Sequence, residues 1–138
     1  MSEKLEILMP VHNEENIIKV LIPEIDNYIN KQIDYSFICC EDGSSDNSLE
    51  VLQKLSEKYP IKIISSERKK GYSIAMQDGI KEARAEYLLL MDSDGQSNPA
   101  EILNFWNSRK KADIINGNRA NRNDFMYRKI YSNIAFVI

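Results

Sequence analysis

Residues 5–22 read Leu-Glu-Ile-Leu-Met-Pro-Val-His-Asn-Glu-Glu-Asn-Ile-Ile-Lys-Val-Leu-Ile, and this stretch decides the fold. The first seven residues form a short apolar run, which reads as a strand. From Glu14 to about Lys31 the apolar residues Ile17, Ile18, Leu21, Ile22, Ile25 and Ile29 recur at helical spacing, so an amphipathic helix follows. Pro23 falls inside it and predicts a kink or a break, because its ring removes one helical hydrogen bond.

The alternation continues down the chain. Tyr35–Cys40 (YSFICC), Ile61–Ser65 (IKIIS) and Tyr87–Met91 (YLLLM) read as strands. Residues 46–58 read as a helix capped by Asp46, with Leu49, Val51, Leu52 and Leu55 inward. Residues 73–85 and 99–111 read as further helices, the latter with Pro99 near its first turn. Ile114 and Ile115 predict a short fifth strand, and the pattern from Phe125 onward is helical again. Strands alternating with helices predict an α/β fold: a mostly parallel sheet, helices on both faces, right-handed crossovers.

At 138 residues the chain is one domain on the usual prior of about 100–200 residues. With 43% hydrophobic and 28% charged residues it has globular composition, which argues against disorder. Its longest apolar runs are far short of a membrane span, and no signal-peptide pattern is present. The adjacent Cys39 and Cys40 form neither a disulfide framework nor a CxxC site, which fits a reducing, cytoplasmic setting. The chain ends within the apolar stretch Ile134–Ile138, with no cap or polar tail, which predicts a natural protein that continues further.

Charge is unevenly placed. Residues 1–108 carry 11 Lys and Arg against 19 Asp and Glu, a net of −8, whereas residues 109–138 carry 7 against 2, a net of +5. An acidic body with a basic end suggests an anionic partner near the end, or simply a solvated face. Nucleic acid fits poorly, because the body repels it and no aromatic–basic interleaving appears.

In open α/β sheets ligands bind beyond the carboxyl ends of the strands, and the polar clusters of this sequence fall there. After strand one comes His12-Asn13-Glu14-Glu15; after strand two, Glu41-Asp42-Gly43-Ser44-Ser45-Asp46; after strand three, Lys69-Lys70-Gly71; after strand four, Asp92-Ser93-Asp94-Gly95-Gln96; after strand five, Asn116-Gly117-Asn118-Arg119. Asp92 and Asp94 repel each other unless a cation lies between them, and oxygen ligands suit Mg²⁺ or Mn²⁺. Their plainer reading is a loop that caps the next helix. Asp42 can accept hydrogen bonds from a nucleobase or ribose, or belong to an ordinary turn. His12, the only histidine, lacks His or Cys partners for zinc. Arg128 and Ser132 are four apart and share a helix face, and with Arg119 they suit a phosphate clamp or a basic surface.

In this order the motifs resemble those of family 2 glycosyltransferases, which have the Rossmann-like GT-A fold. PVHNEENI is similar to the family's PxYNExxxI, EDGSSDNS to DDGSxDxT, and MDSDGQSNPAEI to MDADxQHPPExI. INGNR with the later Arg128 and Ser132 resembles the signature of the dolichyl- and polyprenyl-phosphate sugar synthases within that family. The resemblance covers nearly the whole chain, so residues 1–138 are expected to be one catalytic domain lacking its C-terminal portion.

The resemblance implies that Pro10, His12, Glu14 and Asp42 line a nucleotide-sugar pocket, with His12 at a position usually held by Tyr. It implies that Asp92 and Asp94 hold Mg²⁺ or Mn²⁺ and that Asp92, Asp94 and Gln96 hold the donor diphosphate. Arg119, Arg128 and Ser132 would bind an acceptor phosphate, with Asp94, Arg119 and Arg128 catalytic. Two departures stand out: Glu41 replaces the usual first Asp, and Tyr72-Ser73-Ile74-Ala75 departs from the common GLGxA.

The implied reaction moves a sugar from a UDP- or GDP-linked donor to a lipid phosphate, with inversion. A phosphate monoester is largely ionised at pH 7, since its second pKa is about 6, and so needs no general base. The basic end running into an apolar stretch predicts peripheral contact with the cytoplasmic face of a membrane. A saccharide acceptor, or a non-catalytic nucleotide-binding fragment, is the alternative, and homo-oligomerisation is left open. A phospho-receiver module fits badly, because Ser66-Glu67 stands where it needs Asp and Arg119 where it needs Lys.

Overall fold

The computed structural model describes residues 3–117 of the 138-residue chain. Four strands and four helices alternate: β1 (Lys4–Val11), α1 (Glu15–Ile29), β2 (Asp34–Asp42), α2 (Ser48–Ser56), β3 (Ile61–Ser66), α3 (Tyr72–Glu82), β4 (Tyr87–Leu90) and α4 (Glu101–Ser108). The strands form one parallel sheet in the order β3-β2-β1-β4. Two strands, β2 and β3, thus progress to one side of β1 before β4 crosses to the other. The crevice beyond the ends of β1 and β4 is where ligands bind in such sheets.

Side-chain alternation splits the core into two layers. Leu5, Ile7, Met9 and Val11 of β1, with Phe37 and Cys39 of β2, pack against α1, α2 and Ile102 of α4. Leu8, Ile38 and Cys40 face the other way and pack against Ala75 and Met76 of α3. The neighbours Cys39 and Cys40 therefore belong to opposite layers. Gly79 lets α3 lie directly on the sheet: a Cβ there would fall 2.2 Å from a Leu8 methyl and 2.6 Å from Cys40 Sγ.

Pro23 does not split α1, which runs unbroken from Glu15 to Ile29. A proline in a helix interior costs about 3 kcal/mol. Burial of Ile18, Leu21, Ile22, Ile25 and Ile29 offsets this several times over, at roughly 1.5–3 kcal/mol per side chain. The expected fifth strand is absent among the described residues: residues 114 and 115 have no strand pairing, and Ile114 is 80% exposed. Two isoleucines followed by Asn116 and Gly117 supply the apolar character of a strand but too little length to hold one. Within YLLLM the strand is Tyr87–Leu90, and only one of its faces, that of Tyr87 and Leu89, is even half-buried. Leu88 and Leu90 are exposed because α3 lies over β1 and β2 rather than over β4. The expected helix from Phe125 lies outside the described residues.

At the amino edge of the sheet, Glu3 forms ion pairs with Arg109 and with Lys110 (2.8 Å). The Arg109 guanidinium lies 4.0 Å from the centre of the Trp106 ring, and Trp106 meets Tyr87 edge-on. This cluster ties the start of β1 to β4 and to the end of α4. Lys110 and Arg109 together hold the Glu3 carboxyl down at about 2.

Candidate active site

The loops after β1 and β2 form the floor of the crevice, and they are stitched together. Asn13 adopts a left-handed backbone (φ 56°) that places its side chain over the turn 44–46. Its Oδ1 accepts from Ser45 N (2.8 Å), Ser45 Oγ (3.2 Å) and Asp46 N (3.3 Å), while its own N–H donates to Ser44 Oγ (3.0 Å). The N-cap of α2 is Asn47 rather than the expected Asp46, which lies one residue earlier and instead accepts through Oδ1 from Ser48 N (2.9 Å) and Ser48 Oγ (2.5 Å) at the first helical residue. Its Oδ2 also accepts from Glu15 N (3.2 Å), so one carboxylate serves the starts of two helices. Ser48 Oγ accepts from Glu14 N (2.9 Å).

This stitching fixes His12 and Glu14. His12 Nδ1 lies 2.8 Å from the Asp42 carbonyl oxygen. A carbonyl only accepts, so Nδ1 carries the hydrogen and Nε2 faces the Asn13 side chain at 3.4 Å. Glu14 is half-buried. Its carboxyl is raised above the ordinary value by burial first, then by the charges of Asp94 and Asp46.

The opposite walls come from β4 and from the loop before α3. Ser93 is buried and donates through Oγ to the Pro10 carbonyl (2.6 Å), pinning the middle of Asp92-Ser93-Asp94 to the end of β1. Gly43 (φ 59°) takes a conformation closed to most residues, and a Cβ there would strike the backbone at Arg68 and Lys69 at 2.5 Å. The β3–α3 loop therefore packs directly on the turn after β2. Asp42 holds that loop with both oxygens: Oδ1 accepts from Lys70 N (2.7 Å) and Oδ2 from Gly71 N (2.8 Å).

The result is a cavity of about 270 Å³ at the switch point. Pro10, His12, Glu14, Asp42, Asp92 and Asp94 all line it. Gln96 does not: it lines a neighbouring groove with Ile17, Val20 and Pro99, and its backbone N–H donates to Asp94 Oδ1 (2.9 Å). Glu41 is buried and accepts from Ser44 N (2.6 Å), so it shapes the turn rather than the cavity. Lys70 turns its ammonium to Asp78 (2.5 Å), whereas Lys69 lines the cavity. Arg119, Arg128 and Ser132 lie outside the described residues. Tyr72, Ala75 and Ser93 also line the cavity. The sequence motifs did not single them out as ligand contacts; the departure at Tyr72 was the only signal.

The carboxylate geometry bears on a metal. Among the described residues no three His, Cys, Asp or Glu side chains converge to hold an ion. Asp92 and Asp94 nevertheless face one cavity, and the Asp94 charge is felt at Glu14. Hard oxygen donors from one or two carboxylates, completed by substrate phosphates, suit Mg²⁺ or Mn²⁺. The residues present fit such an ion.

A parallel α/β sheet with this cavity at its switch point has the architecture of the GT-A class. Comparison with known proteins makes the class specific: residues 6–134 match Glycosyl transferase family 2, and the chain belongs to that family. It is 33% identical over 141 residues to a dolichol-phosphate mannosyltransferase of Pyrococcus furiosus, covering 98% of this chain and 40% of that protein. It is 31% identical over 137 residues to an undecaprenyl-phosphate 4-deoxy-4-formamido-L-arabinose transferase of Photorhabdus laumondii, covering 96% and 42%. The chain thus spans about two fifths of the length of these relatives. Among solved structures, S. aureus TarS 1-349 in complex with UDP-GlcNAc superposes with a TM-score of 0.68 at 20% identity, over 89% of this chain and 38% of that one. A Pyrobaculum calidifontis mannosyltransferase in complex with GDP-Man and Mn²⁺ superposes with a TM-score of 0.65 at 15% identity, over 75% and 31%.

Proposed function

We propose that this chain is the donor-binding part of a glycosyltransferase that moves a sugar from a UDP- or GDP-linked donor to a polyprenyl-type lipid phosphate, with inversion. The observation that carries the reading is the switch-point cavity, where His12, Glu14, Asp42, Asp92 and Asp94 converge in a family 2 chain. The acceptor class rests on the relatives, which include polyprenyl-phosphate sugar transferases.

In this reading the floor formed by His12, Glu14 and Asp42 receives the nucleoside. Asp92 and Asp94 would hold Mg²⁺ or Mn²⁺, which when bound neutralises charge on the departing diphosphate. Pro10 packs at the cavity base, and Gln96 supports Asp94 through its backbone. Arg119, Arg128 and Ser132 are assigned to the acceptor phosphate. Arginines there would orient an anionic oxygen opposite the leaving group, so the nucleophile needs no proton removed. The protein would act at the cytoplasmic face of a membrane through peripheral contact. No helix among the described residues is long and apolar enough to cross one.

A second reading, transfer to a hydroxyl of a polymer, is favoured by a Bacillus spizizenii poly(ribitol-phosphate) beta-glucosyltransferase, 32% identical over 118 residues and covering 83% of this chain and 19% of that protein. That acceptor would require a general base.

Calorimetric titration with UDP, GDP and their sugars, with and without Mn²⁺, tests the donor half. Binding of one nucleotide, tightened by Mn²⁺, is expected; binding of neither under both conditions refutes the reading. Transfer by a protein extended past Ile138, assayed with polyprenyl phosphate and with polymer acceptors, decides between the acceptors.

A further inference from the structure

The cavity has two unlike ends. The strand order puts β1 between β2 and β4, so the loops that leave β2 and β4 stand two strand spacings apart, roughly 10 Å. At the β4 end Asp92, Ser93 and Asp94 line the cavity; at the β2 end Asp42 does, beside Lys69 of the β3–α3 loop. That loop is fixed. A Cβ on Gly43 would fall 2.5 Å from Lys69 N, and Asp42 accepts from Lys70 N (2.7 Å) and Gly71 N (2.8 Å). The two lysines of the loop then part. Lys70 turns its ammonium to Asp78 (2.5 Å), whereas Lys69 forms no ion pair with any described residue. Among the described residues that line the cavity, Lys69 carries the only ammonium. The ring donor of His12 is already taken by the Asp42 carbonyl (2.8 Å).

We propose that Lys69 is a specificity-determining residue that reads the base of the donor nucleotide, selecting uracil or guanine, with an oxo group beside a ring N–H, over cytosine and adenine. This rests on the donor reading above, which puts the diphosphate at residues 92–94; a nucleotide anchored there carries its base toward the β2 end. An ammonium offers three donors and no acceptor. It therefore pairs with an oxo group and opposes the amino group that cytosine and adenine carry in its place. The neighbouring Asp42 carboxylate only accepts, which suits the adjacent ring N–H. Donor beside acceptor is the complement of the uracil or guanine edge. The Lys69 side chain is exposed on a flexible four-carbon stem, so its ammonium reaches a base while the loop backbone stays in place. The other use of this cation, a contact to the diphosphate, predicts no dependence on the base.

The test is calorimetric titration of UDP, CDP, GDP and ADP into the wild type and Lys69→Met, with Mn²⁺ present throughout. Within each pair, UDP with CDP and GDP with ADP, the diphosphate is the same and the oxo group is exchanged for an amino group. The wild type is expected to prefer the oxo base of one pair by roughly tenfold or more, and Lys69→Met to remove roughly tenfold of that preference, the size of a hydrogen bond to a charged group. The loss should fall on UDP or GDP, with CDP or ADP unchanged or improved. Equal weakening of both members by Lys69→Met overturns the inference, because Lys69 would then act through the diphosphate or the loop. An unchanged preference in Lys69→Met, or a wild type that does not prefer the oxo base, also overturns it. All of these leave the donor reading intact. Binding of no nucleotide by the wild type overturns the donor reading and this inference together.

Discussion

The two edges of the sheet treat carboxylates in opposite ways. At the amino edge Glu3 sits between Arg109 and Lys110, with Arg109 stacked on Trp106. At the carboxyl edge Glu14 looks toward Asp94 and Asp46, and Asp92 and Asp94 flank a single buried serine. The first arrangement lowers a carboxyl and ties three elements together. The second raises one and leaves like charges facing a shared cavity. At Glu14, burial and the nearby charges of Asp94 and Asp46 disfavour the ionised form, so that carboxylate costs stability in the folded protein. The amino edge lowers its carboxyl with two cations, whereas at the carboxyl edge burial and neighbouring carboxylates raise Glu14.

The contrast can be tested hardest at Asp94. In an active protein containing this chain, Asp94→Ala should lower turnover about a hundredfold or more, by analogy with loss of one transition-state stabiliser. Steady-state transfer assays read this directly, and near-normal rates would remove the functional half of the comparison. Next in size is the floor. Asn13→Ala loses the bonds to Ser45 and Asp46 and must hold φ 56° without a side chain suited to it. It should cost about 2–3 kcal/mol in urea unfolding, combining lost hydrogen bonds with left-handed strain. Asn13→Gly, free of the strain, should cost about 1 kcal/mol less.

The smallest and sharpest test compares Glu3→Gln with Glu14→Gln in chelator-treated protein. Glu3 is held at about 2, below its ordinary 4.5. Its contribution is therefore complete above about 4.5 and disappears as pH falls toward 2, so Glu3→Gln should be less stable than wild type at pH 7 and equal to it near pH 2. Glu14 is raised, so ionising it costs stability in the folded state as pH rises. Glu14→Gln should be more stable than wild type at pH 7, with the difference gone below the ordinary 4.5. Thermal melts across this range check both signs, and shifts of the same sign would dissolve the distinction between the edges.

Much of this was legible from local pattern. The spacing of Ile18, Leu21, Ile22, Ile25 and Ile29 gave α1 because a helix face is written within a dozen residues. The polar clusters gave the rim because each follows its own strand. What local pattern does not encode is which loops touch. The bonds from Asn13 to Ser45 and from Asp42 to Gly71 span 32 and 29 residues, and no motif records them. Gln96 sits two residues beyond Asp94 yet lines a different groove, since Gly95 turns the chain between them. Ile114 looked like a strand residue, but strand formation needs a neighbour to pair with, and none is present among the described residues.

The paired thiols of β2 offer a further use of this architecture. Cys39 is sealed under α1 and its companions, and Cys40 lies beneath α3. Burial pushes the Cys39 thiol up and raises Cys40 to about 11, so neither is reactive in the closed protein. Alkylation must wait for the covering helices to lift. Single-cysteine versions of the chain would therefore act as two separate clocks, one timing the exposure of each side of the same strand.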